Sequence, residues 1–67
     1  SKGVQIDNVA KDTPAAQVGL QKGDVIIGVN RERIENITQL RKLLEAKPSV
    51  LALNIVRGEE TIYLLLR

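Results

Sequence analysis

Between Thr13 and Asn30 the sequence predicts a helix too short to be stable in isolation, followed by an apolar run at 25–29. Thr13 is suited to cap this helix, because its hydroxyl can accept a hydrogen bond from a first-turn amide, and Pro14 fits the first helical position. Gly19 is predicted to end the helix in a left-handed conformation, which bounds it at about 14–18. A lone helix of under about a dozen residues is marginal in water, so packing must hold this one in place.

The rest of the chain alternates between strand-like and helix-like patterns separated by polar turns. Periods of two residues predict strands and periods of 3.6 residues predict helices. In chain order the predicted elements are a strand at about 3–9, the short helix, a strand at 25–29, a very short strand around Ile34, a helix at about 37–46, and strands at 50–56 and 61–66 that form a hairpin. This order indicates an α+β fold, a small β-barrel or sandwich capped by two helices.

Particular residues set the expected boundaries within these elements. Gly28 interrupts an apolar strand and predicts a bend or a close backbone approach there. Asn36 is a suitable cap for the second helix, which ends at Lys47 because a residue before proline avoids the helical region. The strands at 25–29 and 50–56 carry apolar residues on both faces, as expected of interior strands that are covered on each side.

Composition limits both the core and the partners of the chain. The 67 residues suffice for one domain, and 43% of them are hydrophobic. Tyr63 is the only aromatic residue, so the core must be aliphatic. A net charge of +2 with a single aromatic side chain argues against nucleic-acid binding. No apolar run approaches the roughly 18 residues of a membrane span.

The residue types that carry most protein chemistry are absent from the sequence. Without histidine or cysteine, neither a Ser-His-Asp nor a Cys-His arrangement can form within the chain, and zinc lacks its usual ligands. No glycine has phosphate-loop spacing. We therefore expect no catalytic residue, no metal site and no cofactor. The carboxylates are interpreted as solvated surface charges; they are Asp7, Asp12, Asp24, Glu32, Glu35, Glu45, Glu59 and Glu60.

The segments 13–20, 22–26 and 29–30 together resemble the signature of PDZ domains. The later helix, the Lys47-Pro48 pair and the final segment 61–67 look like the C-terminal end of proteases of the HtrA family. The resemblance covers essentially the whole chain and implies the second, C-terminal PDZ domain of a periplasmic serine endoprotease. In such a fold the short helix plugs one end of the barrel, which explains how it is held.

The resemblance implies that the chain binds peptides. PDZ domains take a C-terminal peptide as an added strand against a long helix, with its carboxylate in a loop of backbone amides. Carried over to this chain, the helix wall of that groove consists of Ile37, Leu40, Arg41 and Leu44. Core packing explains Leu40 and Leu44 equally well, because an apolar helix stripe alone cannot separate the two roles. Leu43 is assigned to the core.

Two features depart from the family pattern. Arg31 stands where many PDZ domains have glycine, and a left-handed arginine would be strained. The Gly-hydrophobic-Gly-hydrophobic loop that binds the carboxylate, and the groove strand after it, precede the part of the fold that begins near Gly3. Residues 1–67 are therefore interpreted as a single truncated PDZ domain from the C-terminal end of a longer protease.

Two functions stay open for a module without catalytic residues of its own. The first is binding of C-terminal or unfolded polypeptides for a parent serine endopeptidase. The second is assembly of the protease oligomer or cage through contacts with other PDZ or protease domains. The charged surface suggests the second role, through Arg31, Arg33, Glu35, Arg41 and Lys42. The resemblance implies a periplasmic location for either one.

Overall fold

A computed structural model describes residues 3–66, apart from the side chain of Pro14. Five strands and two helices follow one another in the predicted order. They are β1 (Val4–Gln5), α1 (Pro14–Gln17), β2 (Val25–Val29), β3 (Glu32–Arg33), α2 (Ile37–Glu45), β4 (Leu51–Arg57) and β5 (Glu60–Leu66). The predicted α+β, PDZ-like architecture is confirmed, although Arg67, the last residue of the family pattern, lies outside the described residues.

The strands form one antiparallel sheet with two helices against it. The order across the sheet is β1-β2-β4-β5. β1 pairs with the first part of β2, and β3 pairs with the last two residues of β2. β4 and β5 form the predicted hairpin, in which Leu53 lies opposite Leu64 and Ile55 opposite Ile62. Within the described residues the sheet is open, with β1 at one edge and β5 at the other.

An aliphatic core lies between the sheet and α2, as the composition predicted. Its buried members are Ile26, Val29, Ile34, Leu40, Leu53 and Ile55. The opposite face of the central strands is only half-covered, because Val25 and Ile27 are of intermediate exposure. The two central strands β2 and β4, predicted to be covered on each side, are therefore fully buried on one face and partly covered on the other.

The first strand is shorter than its alternation predicted. Regular pairing covers only Val4–Gln5, although Ile6 still exchanges hydrogen bonds with the turn before β2. The Ile6 amide donates to the Asp24 carbonyl at 2.7 Å, and the Gly23 amide donates to the Ile6 carbonyl at 2.8 Å. After Ile6 the chain leaves the sheet, because it must reach the start of α1.

The ends of α1 have the predicted geometry. The Ala16 amide donates to Thr13 Oγ1 at 3.3 Å, which is the expected cap. At the other end Gly19 has a φ of +99°, and its amide donates to the Ala16 carbonyl. The Leu20 amide reaches the Ala15 carbonyl at 3.1 Å, so two carbonyls of the last turn are satisfied. The helix ends one residue before its predicted limit.

Arg31 lies in the turn between β2 and β3 and adopts the left-handed conformation. Asn30 and Arg31 have φ values of 50° and 71°, so both adopt the left-handed conformation of a tight hairpin turn. The Asn30 side chain fastens this turn to the start of β4, accepting from the Ala52 amide at 2.8 Å and donating to the Val50 carbonyl at 3.0 Å. Gly28 is predicted to mark a bend or a close backbone approach, and the pairing of β2 with β4 shifts its register between Ile26 and Gly28.

Candidate functional site

Helix α2 is anchored to the sheet by one of its faces. Asn36 caps it as predicted, since its Oδ1 accepts from the Gln39 amide at 3.0 Å. Leu40 is 7% exposed and belongs to the core, and Leu43 packs against the core beside it. The assignment of Leu43 to the core is confirmed. The helix ends at Glu45 with Ala46 as its C-cap, and Lys47 follows with a φ of 51°, which is incompatible with further helical turns.

The four residues predicted to line a peptide groove divide between two environments. Ile37 and Leu44 are 47% and 43% exposed, and Arg41 is exposed between them on the same helix face. Leu40 lies beneath them in the core. The structure therefore brings Ile37, Arg41 and Leu44 together as a half-apolar exposed surface, here called the outer face of α2, while Leu40 supports this surface from below.

The edge of β1 lies close to the beginning of α2. The Gly3 amide donates to the Glu35 carbonyl at 3.3 Å, which joins the start of the strand to the segment that leads into the helix. Gly3 has a φ of +111°, and a Cβ there would lie 2.8 Å from the Ile26 carbonyl oxygen. Only glycine fits this close approach to β2. Within residues 3–66, β1 pairs with β2 alone, so its other edge is open.

An open strand edge and an exposed apolar helix face suit the recognition of an extended peptide. The edge offers backbone donors and acceptors to an added strand, and the helix face offers apolar contacts to its side chains. No group of three or more potential metal ligands occurs among the described residues. The chemistry that this arrangement supports is binding.

Asp24, a buried carboxylate, forms an ion pair with the partly exposed Arg57. Asp24 is 1% exposed, and both of its carboxylate oxygens accept hydrogen bonds from Arg57 at 2.9 Å. Oδ2 also accepts from the Gln21 amide, and Arg57 Nη2 donates to the Gly19 carbonyl at 2.8 Å. This group, here called the Asp24–Arg57 clamp, joins the end of α1 to the end of β4.

The clamp lowers the pKa of Asp24 below its ordinary value. The hydrogen bonds from Arg57 are the main cause, and the Gln21 amide and the charge of Arg57 act in the same direction. Burial of the carboxyl opposes them, because desolvation disfavours its charged form. The net direction shows that hydrogen bonding outweighs desolvation, and Asp24 is a carboxylate at neutral pH.

The interpretation of Asp24 as a solvated surface charge is therefore wrong. The pairing register identifies it, because β2 and β4 are antiparallel and Val25 lies opposite Val56. One step outward along each strand, Asp24 must then meet Arg57. Composition alone treats every carboxylate alike, and only the pairing register separates this one from the others.

A second exposed apolar surface lies on β5. Tyr63 is 62% exposed and Leu65 is 51% exposed, on the face of the strand that points away from the core. Their cross-strand neighbours are Asn54 and Ala52. The alternation of this strand predicts that Tyr63 and Leu65 share the face opposite the one that carries Ile62, Leu64 and Leu66. We call this pair the β5 patch.

Neither helix in the described part of the chain has the length and apolar character needed to cross a lipid bilayer.

Comparison with protein families gives a match over most of the chain. The family model described as the PDZ domain matches residues 1–56. The PDZ domain is a non-catalytic module, in agreement with the binding chemistry inferred from the site.

Curated relatives match nearly the whole chain. The periplasmic pH-dependent serine endoprotease DegQ of Escherichia coli is 64% identical over 66 residues, and the periplasmic serine endoprotease DegP of the same organism is 62% identical. A probable periplasmic serine protease of the do/HhoA-like type from Haemophilus influenzae is 52% identical. Each match covers 98% of this chain but only 14% of the relative.

Among solved structures, the HtrA3 PDZ domain bound to a phage-derived ligand of sequence FGRWV superposes on this chain with a TM-score of 0.92. The sequence identity is 27%, and the alignment covers 98% of this chain and 59% of that one. The fold is thus shared over all of the described elements.

Proposed function

This chain belongs to the PDZ domain family, and from that premise we propose that it binds polypeptides for a periplasmic serine endoprotease. In this proposal it is the second, C-terminal PDZ domain of the protease. Its ligands are C-terminal or unfolded segments, and proteolysis belongs to another part of the parent protein. The similarity to relatives named periplasmic endoproteases supports both the location and the parent activity.

The observation that carries the proposal is the exposed position of Ile37 and Leu44 on a helix whose inward side chain Leu40 is buried. The apolar side of α2 is wider than its packing requires, because Leu40 is buried while Ile37 and Leu44 beside it remain exposed. The HtrA3 PDZ domain, which shares this fold, binds a peptide that ends in valine. We infer that the outer face of α2 contacts the apolar end of a peptide in the same manner.

A binding measurement on the full-length protein that carries this chain tests the proposal. We expect Leu44→Glu to weaken a peptide with an apolar C-terminal residue and a free carboxylate by at least about tenfold, since it places a charge against an apolar group. Thr38→Glu is the matched control, because it adds the same charge at another exposed position of α2. Equal affinity of the two variants would contradict the assignment of the outer face, provided that both keep their thermal stability.

The β5 patch favours a second role, in assembly of the protease oligomer. An aromatic side chain exposed to 62% beside a leucine exposed to 51% is costly to leave in water and is typical of contact surfaces. We propose that Tyr63 and Leu65 contact a PDZ or protease domain of a neighbouring subunit. The charged side chains Arg31 and Arg33 are also exposed and can add specificity to such contacts.

Light scattering on the full-length protein separates the two roles. Tyr63→Ala is expected to reduce the particle mass while leaving peptide affinity unchanged, and Tyr63→Phe should preserve the particle because it keeps the ring. An unchanged particle mass for a Tyr63→Ala, Leu65→Ser double variant would eliminate the assembly role of this surface.

A further inference from the structure

A cleft lies between β3 and α2, on the side of the helix opposite its outer face. Gln39, Lys42, Leu43 and Ala46 contribute to it from α2, and their spacing of three and four residues puts them on one helix face. The outer face, with Ile37 and Leu44, takes no part in lining the cleft. The helix therefore presents two separate surfaces, and the proposed peptide groove uses only one of them.

The cleft combines an apolar floor with a basic rim. Ile34, Leu43 and Ala46 supply apolar atoms, while Arg33 and Lys42 bring positive charge from the strand and from the helix. Glu32 is the one carboxylate among the lining residues, so their net charge is positive.

The two cations of the rim are available to a ligand. Within residues 3–66 neither Arg33 nor Lys42 pairs with a carboxylate, and the ion pair formed there belongs to Asp24 and Arg57. Both side chains are exposed, so placing a carboxylate against them needs no rearrangement of the core. The cleft thus provides charge for an anion beside apolar surface for an aliphatic group.

The volume of the cleft sets the size of what it can hold. At about 270 Å³ it falls just below the roughly 300–1,000 Å³ typical of sites for whole small molecules. It is large enough for one or two side chains of a peptide. The lining contains no glycine-rich run of backbone amides such as PDZ domains use for a terminal carboxylate. The anion that suits this cleft is therefore the carboxylate of an acidic side chain.

We propose that this cleft is a second peptide-binding site, which takes an acidic side chain and a nearby aliphatic side chain from an extended internal segment of a polypeptide. The carboxylate pairs with Arg33 and Lys42, and the aliphatic side chain lies against Leu43 and Ala46. In an extended chain, residues two positions apart point to the same side, so the pattern recognised is acidic-x-aliphatic. This site rests on the proposed function, in which unfolded segments are ligands, and it assigns internal segments to a surface separate from the outer face of α2.

The test uses a labelled peptide with both termini blocked, in which one glutamate and one leucine stand two residues apart. Because it has no terminal carboxylate, the groove against the outer face of α2 does not select it. Fluorescence anisotropy with the full-length protein is expected to show saturable binding that weakens as salt rises. Replacing the glutamate of the peptide by glutamine should lower the affinity about tenfold, the loss typical of a charged hydrogen-bonded pair.

Variants of the protein locate the site. Lys42→Glu and Arg33→Glu should each lower the affinity by about tenfold or more, and Lys42→Gln by less, because it removes a charge without reversing it. Lys22→Glu, an exposed lysine outside the cleft, is the matched control and should change the affinity less than about twofold. If Arg33→Glu and Lys42→Glu bind the blocked peptide as the unmodified protein does, the proposal is overturned.

Variants of the neighbouring residues Arg41 and Lys42 distinguish binding in the cleft from binding in the groove. Arg41→Glu should alter binding of the peptide with a free C terminus, and Lys42→Glu should alter binding of the blocked one. If Arg41→Glu leaves the affinity for the peptide with a free C terminus unchanged, the groove is refuted. If Lys42→Glu leaves the affinity for the blocked peptide unchanged, the cleft is refuted. Equal binding of the glutamate and glutamine peptides would also refute the cleft, since the carboxylate would then have no partner.

Discussion

The two helices of this domain are held in place by different interactions. Helix α1 has 4 residues, and none of its described side chains is fully buried. Its position depends on hydrogen bonds at its two ends and on Arg57, which reaches the Gly19 carbonyl. Helix α2 has 9 residues and is anchored mainly by Leu40 in the core, with Leu43 beside it.

This difference accounts for the proposed division, in which α1 serves structure and α2 serves binding. Because α1 has almost no apolar stripe, hydrogen bonds from specific polar partners to its backbone ends hold it in position. Because α2 is anchored through one face, its remaining surface is not needed for packing against the core. Both proposed peptide-binding surfaces include residues of α2, and neither includes residues of α1. The predictions below test this division, from the largest expected effect to the smallest.

The strongest test concerns the packing of α2. Leu40→Ala should lower the free energy of unfolding by about 2–5 kcal/mol, since it leaves a cavity in the core. Leu44→Ala is the matched control and should cost less than about 1 kcal/mol, because that side chain is already largely in water. Urea denaturation measures both. Similar losses for the two variants would mean that α2 is not anchored through one face.

The polar anchoring of α1 is tested by removing Arg57. Arg57→Ala leaves the buried carboxylate of Asp24 without its main partner and should destabilise the fold more than any change at an exposed arginine. Hydrogen exchange should accelerate at Gly19 and Leu20, while the amides of α2 are affected less. Lys22→Ala serves as the control for loss of one exposed charge. Uniform acceleration in both helices would show that the clamp does not act on α1 in particular.

The same clamp predicts how stability depends on pH. The folded-state pKa of Asp24 lies below its ordinary value of 3.8, so the carboxylate contributes its full stabilisation above pH 3.8. The contribution is lost as the pH falls through the lower, folded-state pKa. Thermal melts between pH 2 and pH 6, on the order of one pH unit apart, should therefore show a steep acid loss that is reduced in Arg57→Ala. Parallel profiles of the two proteins would refute the role of Arg57.

The C-terminal end of α1 is expected to require glycine. Gly19→Val should lower the free energy of unfolding by about 1–2 kcal/mol, the cost of a left-handed residue with a branched side chain. A Cβ at this position meets no atom within 4 Å, so the loss would come from backbone conformation alone. An unchanged melting temperature would show that Gly19 does not end the helix in this conformation.

The end of α2 should respond in the opposite direction. Lys47 has a φ of 51° and occupies the position that glycine holds after α1. Lys47→Gly is expected to raise the free energy of unfolding by roughly 0.5 kcal/mol, since relief of the left-handed conformation exceeds the entropy that glycine adds to the unfolded chain. A measurable loss of stability would indicate that the lysine side chain supports the helix end.

Local signals in the sequence were sufficient to predict most of the fold. Thr13, Gly19, Asn36 and Pro48 mark helix ends through backbone chemistry that depends on few neighbours, and they correctly predict both helices to within one residue. The extent of β1 was not predictable in this way. Its alternation continues past Ile6, but where a strand leaves its sheet depends on pairing with β2 and not on its own pattern.

The candidate site was predicted only in part, for the same reason. The helical period places Ile37, Leu40 and Leu44 on related faces of α2, but the sheet decides which of them is buried. The cleft beside β3 and the Asp24–Arg57 clamp each join residues from separate elements, so they follow from tertiary contacts that a one-dimensional pattern does not contain.

Hydrogen–deuterium exchange on the full-length protein, with and without a peptide that ends in an apolar residue and a free carboxylate, tests the central claim most directly. We expect the peptide to slow exchange along α2, with little change in α1 or β5. Protection confined to other segments, with α2 unchanged at a saturating peptide concentration, would contradict the assignment of this helix as the binding element.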